Sequence, residues 1–129
     1  MPYARIEVPA GLPATFHDAI LDGIDGVFVE VLGVPPQDAF LRLFEYRPGM
    51  VRVPRCHGAK FCFVEVQLFP GRSAETKARL YRMLADCFVA QGVPASDVTI
   101  ALVEIATGDW GVRGGLSAAE VEHGFHIAV

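Results

Sequence analysis

Apolar residues at Phe16, Ile20, Ile24, Val27, Phe28 and Val31 recur at the three-and-four spacing that puts them on one face of an α-helix. Gly33 stands where a left-handed residue ends such a helix, and Pro35 prevents its return. One apolar run, Tyr3 to Val8, precedes this stretch, and another, Ala39 to Tyr46, follows it. The order then repeats. Phe61 to Phe69 is rich in aromatic and β-branched residues and reads as a strand. Gly71-Arg72-Ser73 turns the chain, with Ser73 as a helix N-cap. Leu80, Met83, Leu84, Cys87 and Phe88 form a second helical stripe, and Arg79, Arg82 and Asp86 take its wet face. Gly92 and Pro94 are expected to stop this helix as Gly33 and Pro35 stop the first, and Val98 to Ile105 is the last long strand.

The segment Gly33-Val34-Pro35-Pro36-Gln37-Asp38 returns 59 residues later as Gly92-Val93-Pro94-Ala95-Ser96-Asp97, identical at four of six positions. Helix-to-strand turns favour Gly, Pro and Asp in general. The identical placement in both halves nevertheless points to a duplicated unit. The expectation is one domain over 1–129, with repeat one about 2–46, repeat two about 61–105 and a tail at 107–129. Two strand–helix–strand units with right-handed crossovers predict an α/β (α+β) fold. Its four-stranded mixed sheet is parallel within each unit and carries two helices on one face. Strands 61–69 and 98–105 are apolar along most of their length, which predicts burial on both faces. Two helices cover one face only, so other copies of the chain are the simplest cover for the second. Residues 47–60 read as an exposed loop or hairpin, and the tail as a segment that packs on a neighbouring subunit.

Apolar residues make up 52% of the chain and charged residues 20%, enough to bury a core, and the net charge of −4 with no basic run argues against nucleic acid. No basic stretch leads into a signal-like apolar run, and no apolar stretch reaches membrane-spanning length. A soluble cytoplasmic protein with no membrane partner is expected. Cysteines 56, 62 and 87 are odd in number and irregular in spacing, which suits reduced thiols. Cys62 and Cys87 fall at core positions. Cys56-His57 is the only adjacent pair of metal-ligand types and has no second pair at zinc-site spacing, so no metal is expected. His17, His123 and His126 suggest no Ser-His-Asp arrangement, and Gly114-Gly115 follows no strand-to-helix junction that would cradle phosphate.

The remaining chemistry lies at the amino end. Pro2 begins the first strand of the duplicated unit. With Met1 removed, as the small size of proline leads one to expect, it presents a secondary amine at a strand end. An α-amino group titrates at about 7.7–8.0, and an apolar pocket or a nearby cation lowers that value. A neutral amine of this kind can take a proton from carbon or from an enol oxygen.

Pro2, the two βαβ halves and Gly71-Arg72-Ser73-Ala74-Glu75-Thr76-Lys77 together resemble the tautomerase superfamily. Asp38, then Arg47-Pro48-Gly49, then Asp109-Trp110-Gly111, is most similar to its malonate semialdehyde decarboxylase branch. The resemblance covers roughly positions 2 to 115. It implies a homotrimer, a small carboxylate substrate, no cofactor and an active site around the proline. In that likeness Pro2 matches the catalytic proline, and Arg72 an arginine that binds or polarises a carboxylate, a task that suits a guanidinium. Asp38 matches an aspartate beside the proline, although its repeat partner Asp97 shows that such an Asp can also simply cap a turn. Trp110 matches an aromatic of one decarboxylase subgroup and could equally anchor an interface. Arg113 follows as a residue that contacts substrate or rims an interface. Pro70 departs from the pattern, because some decarboxylases carry a second arginine there. The implied activity is a proline-based tautomerase for a 2-keto or enol carboxylate. The alternatives are decarboxylation of a 3-oxo acid and a non-catalytic trimeric binding protein on the same scaffold.

Overall fold

The computed structural model describes residues 1–129 and carries the elements in the expected order. They are β1 (Tyr3–Pro9), α1 (Ala14–Leu32), β2 (Phe40–Tyr46), β3 (Cys62–Leu68), α2 (Ala74–Val89) and β4 (Val98–Glu104), followed by a short hairpin of β5 (Gly111–Val112) and β6 (Leu116–Ser117). The four long strands lie in the order β2-β1-β3-β4. β1 runs parallel to β2, β3 runs parallel to β4, and β1 meets β3 antiparallel with Tyr3 opposite Gln67 and Ile6 opposite Val64. This is the mixed sheet of two βαβ units.

The helical stripe read from sequence is the buried stripe. Phe16, Ile20, Ile24, Val27, Phe28 and Val31 are all buried in α1. They pack with Ala4, Ile6, Val8, Val64 and Val66 from the strands in one core. Each such side chain contributes about 1.5–3 kcal/mol when fully buried. Gly33 adopts φ 67 and donates its N–H to Val29 O, which closes α1. Ser73 caps α2 by accepting from Thr76 N at 3.1 Å. α2 buries Leu80, Leu84 and Phe88, while Met83 and Cys87 pack at the margin of the core. Gly23 sets how close the helices come, since a Cβ there would stand 3.0 Å from Cys87 Sγ.

The second helix stops at its glycine, as the first does. Beyond Ala90, Gly92 takes φ +86 and donates its N–H to Val89 O at 3.0 Å, and Val93 N–H reaches Phe88 O at 3.1 Å, which closes the last turn of α2. The apolar run of β3 also resolves into two unlike faces. Cys62, Val64, Val66 and Leu68 are buried under the helices, whereas the open face carries Phe63, Glu65 and Gln67, all half-buried. The strict alternation of a strand sorts the run into these two sets. On that face Arg5 and Arg42 lie over the Phe44 ring at 4.2 Å and 4.9 Å. The 47–60 connection holds no strand. The tail, expected on a neighbour, folds back on its own subunit. Ser73 N donates to Val129 O at 2.8 Å, and Phe125 joins the edge of the core.

The two turn aspartates have unlike surroundings. Asp97 is 3% exposed, and its Oδ1 accepts from Gly58 N at 2.6 Å, pinning the 47–60 connection to the sheet. Asp38 is largely exposed and accepts instead from the Met1 amine at 2.7 Å. Burial pushes the Cys62 thiol up to about 12, with Asp97 adding to the effect, so this thiol stays protonated and inert.

Asp97→Ala orphans the Gly58 N–H and is expected to cost about 1–3 kcal/mol in denaturant unfolding. Asp38→Ala is expected to stay within about 0.5 kcal/mol of the wild type. Equal losses at the two positions would contradict this division of roles.

Candidate active site

β1 begins where β3 ends, and the sheet topology therefore brings the amino end of the chain beside the segment that leads into α2. A cleft of about 310 Å³ opens there. One wall holds Met1, Gln37, Asp38 and Phe40 from the amino end and the approach to β2. The facing wall holds Phe69, Arg113 and the tail residues Val121, Glu122, His123 and Phe125. Pro2, next in the chain to Met1, is buried and does not itself line the cleft; its carbonyl accepts from Phe40 N at 3.0 Å. Gln37 with φ 63 and Arg113 with φ 49 are the non-glycine residues in left-handed conformation, and both line this cleft. Such backbone strain concentrates where a site needs a particular geometry.

The sequence-derived candidates form two layers. Asp38 and Arg113 line the cleft directly. The Asp38 carboxylate holds the terminal amine, and Arg113 Nη2 donates to the Glu122 carbonyl at 3.3 Å. Arg72 and Trp110 stand behind Phe69. Trp110 packs edge-on against the Phe69 ring at 5.7 Å and donates Nε1–H to Ile105 O at 3.2 Å. Arg72 Nη1 donates to Phe69 O at 2.8 Å. The Arg72 side chain is no surface residue of a helix start, because only 6% of it is exposed.

Arg72 is the least satisfied group in the region. Its Nε and Nη2 are buried with no hydrogen-bond partner. Burial lowers its pKa from the usual arginine value, and the Glu104 carboxylate opposes that shift. Glu104 is itself engaged by Lys77. Each unpaired buried donor costs about 1–3 kcal/mol, more on a charged group, so an anion reaching this guanidinium would be bound strongly.

Phe69, His123 and Phe125 were not among the sequence candidates. Phe69 carried one signal: the first repeat has Ala10 at the matching position, 59 residues earlier, so the two halves diverge there. The tail residues lie in a segment with no hydrophobic period to read. A second cleft of about 320 Å³ lies at the opposite end of the sheet, walled by Ala10, Tyr46, Val51, Val53 and Phe61. Phe61 stands 59 positions after Pro2, and no charged side chain lines this cleft. Charged side chains are thus found in the lining of the first cleft and not of the second. No group of three His, Cys, Asp or Glu side chains is placed to hold a metal ion. No helix is long and apolar enough to cross a membrane.

Comparison with known proteins agrees with this geometry. No curated protein matches the chain in sequence. Among solved structures, a fused 4-OT wild-type symmetric trimer is 30% identical, covers 91% of this chain and 96% of its own, and superposes with a TM-score of 0.84. A malonate semialdehyde decarboxylase inhibited by 3-bromopropiolate is 29% identical, with coverage of 91% and 92% and a TM-score of 0.81. A further malonate semialdehyde decarboxylase, described with decarboxylase and hydratase activities, is 26% identical, with coverage of 87% and 92% and a TM-score of 0.77. Residues 38–113 match the sequence profile of the family described as Tautomerase enzyme. The chain belongs to the tautomerase superfamily.

Proposed function

We propose that the protein is a cofactor-independent, proline-based tautomerase of a small 2-keto or enol carboxylate. The observation that carries this reading is the meeting of the amino end with Asp38 at 2.7 Å inside a cleft backed by a buried, under-bonded guanidinium. Removal of Met1 takes away the amine that makes this contact and leaves Pro2, the next residue, as the terminal amine that would turn to Asp38 in its place. In the ketonising direction the neutral amine accepts the enol hydroxyl proton and returns a proton to the adjacent carbon, so the amine ends the cycle as it began. Arg72 holds the substrate carboxylate and stabilises enolate charge. For Arg72 to do so, substrate must reach past Phe69. Asp38 orients the amine or a water, Arg113 contacts substrate at the mouth, and Trp110 supports the aromatic wall from behind.

A second reading has its own support. A carboxylate beside an amine favours the charged amine. A cationic Pro2 polarises the carbonyl of a 3-oxo acid as carbon dioxide leaves, and the decarboxylase neighbours share the fold at 26–29% identity. The third reading is a non-catalytic binding protein on this scaffold. For assembly we propose a homotrimer, with the open sheet face of Arg5, Arg42 and Phe44 turned toward neighbouring subunits. The trimeric 4-OT relative supports this. The three unpaired cysteines suit the cytoplasm.

Intact mass is expected to show a chain that starts at Pro2. With phenylenolpyruvate, Pro2→Ala should lower kcat/KM by about 10²–10⁴-fold, and His17→Ala should not. Wild-type activity in the Pro2 variant would remove the enzyme reading and leave the binding protein. A rate that falls as pH drops toward the amine's pKa marks a neutral base and the tautomerase. A rate lost at high pH marks the cationic amine and the decarboxylase.

A 2-oxo acid that pairs with Arg72 should raise the wild-type unfolding midpoint, by the equivalent of about 2.7 kcal/mol at a hundred times its Kd. Arg72→Met should fold but lose that shift. An unchanged shift in the variant would take the carboxylate away from Arg72.

A further inference from the structure

His123 comes from the tail, far in sequence from every residue singled out for chemistry, yet it lines the same cleft as Met1 and Asp38. Its ring is held on two sides. The Phe69 ring lies 4.7 Å away, tilted by 50°, and the Phe125 ring lies 6.1 Å away. Phe69 is itself fixed, with 1% exposure, Trp110 against its ring and Arg72 on its carbonyl. The tail around His123 is tied down by other groups, through Arg113 to the Glu122 carbonyl and Ser73 N to Val129 O. The imidazole nitrogens take no part in those bonds. An imidazole held between two aromatic rings, its nitrogens uncommitted, therefore lines the same cleft as the amine and the carboxylate.

That placement has a chemical meaning. Arg72 lies behind Phe69 and does not form the cleft wall, so it suits the carboxylate end of a substrate that reaches inward. The keto or enol oxygen needs a separate hydrogen-bonding group, because charge builds on it as the proton moves. Even the neutral imidazole offers one N–H donor. Asp38 accepts only, and the Arg113 guanidinium is already drawn to the Glu122 carbonyl. We infer that His123 is a catalytic residue that donates a hydrogen bond to the keto or enolate oxygen of the substrate, with Phe69 as the platform that sets its ring plane. This rests on the proline-based reading above. It adds to that reading a donor from the tail and a preference for planar substrates that lie against the Phe69–His123 wall.

The test uses the full chain and two substitutions. His123→Phe keeps an aromatic ring on Phe69 and removes both nitrogens. His123→Asn keeps a donor and gives up the ring. With phenylenolpyruvate, H123F is expected to lose about 10²–10³-fold in kcat/KM, mostly in kcat, with an unchanged unfolding midpoint. H123N is expected to recover at least about tenfold of that loss, as a retained donor should. Wild-type kcat/KM in H123F overturns the inference, as does equal loss in both variants. Pro2→Ala is run beside them. If that variant keeps full turnover, the proline reading fails, while the H123F result still reports on the imidazole. Should the wild type turn nothing over, quenching of Trp110 fluorescence by phenylpyruvate replaces the rate. Binding weakened about tenfold in H123F supports the contact, and equal binding removes it.

Discussion

The antiparallel register of β1 on β3, with Tyr3 opposite Gln67, is the constraint on which the rest of this molecule depends. It sets Ala4, Ile6 and Val8 toward the helices, where all three are fully buried. A slip of one residue would turn them to the open face and bring Tyr3, Arg5 and Glu7 into the core. The same register carries the amino end to the place where β3 gives way to Phe69, Arg72 and the start of α2. Core and cleft are therefore specified together: the pairing that buries the apolar face also brings the amino end of the chain to the cleft.

Much of the fold was legible because it rests on periods. The α1 stripe, the Gly33 cap and the Ser73 cap each follow from local spacing, and each was found in place. The Gly92 stop of α2 belongs to the same set. In β3 strict alternation sorts one apolar run into a buried set and the half-buried Phe63, Glu65 and Gln67. Misreading arose where period gave way to context. The tail has no period at all, and its position depends on contacts with Gly71, Ser73 and Phe69 that no local rule anticipates.

The site was legible in part for the same reason. Asp38 and Arg113 could be picked from motif order, and both line the cleft. Asp97 carries the same motif as Asp38 but is buried against Gly58, a difference set by the 47–60 connection and not by the turn itself. Phe69 and His123 escaped because their meaning arises only when the tail returns across the end of the sheet. Arg72 shows the cost of such a site. A buried guanidinium with two unpartnered nitrogens destabilises the empty protein, and a core residue chosen for stability alone would not be an arginine.

Gly71 ties the tail to the helix start. Its φ of +131 already disfavours a side chain, and a Cβ there would stand 3.1 Å from Ile127 Cγ2. The next N–H but one, that of Ser73, is held by Val129 O. Lifting the tail away from the cleft thus releases the Ile127 contact, the Ser73 amide and the Phe125 packing in one event. Such linked contacts open as a cooperative unit and not residue by residue. The anchored tail therefore holds its side of the cleft in one position until all of these contacts are given up together.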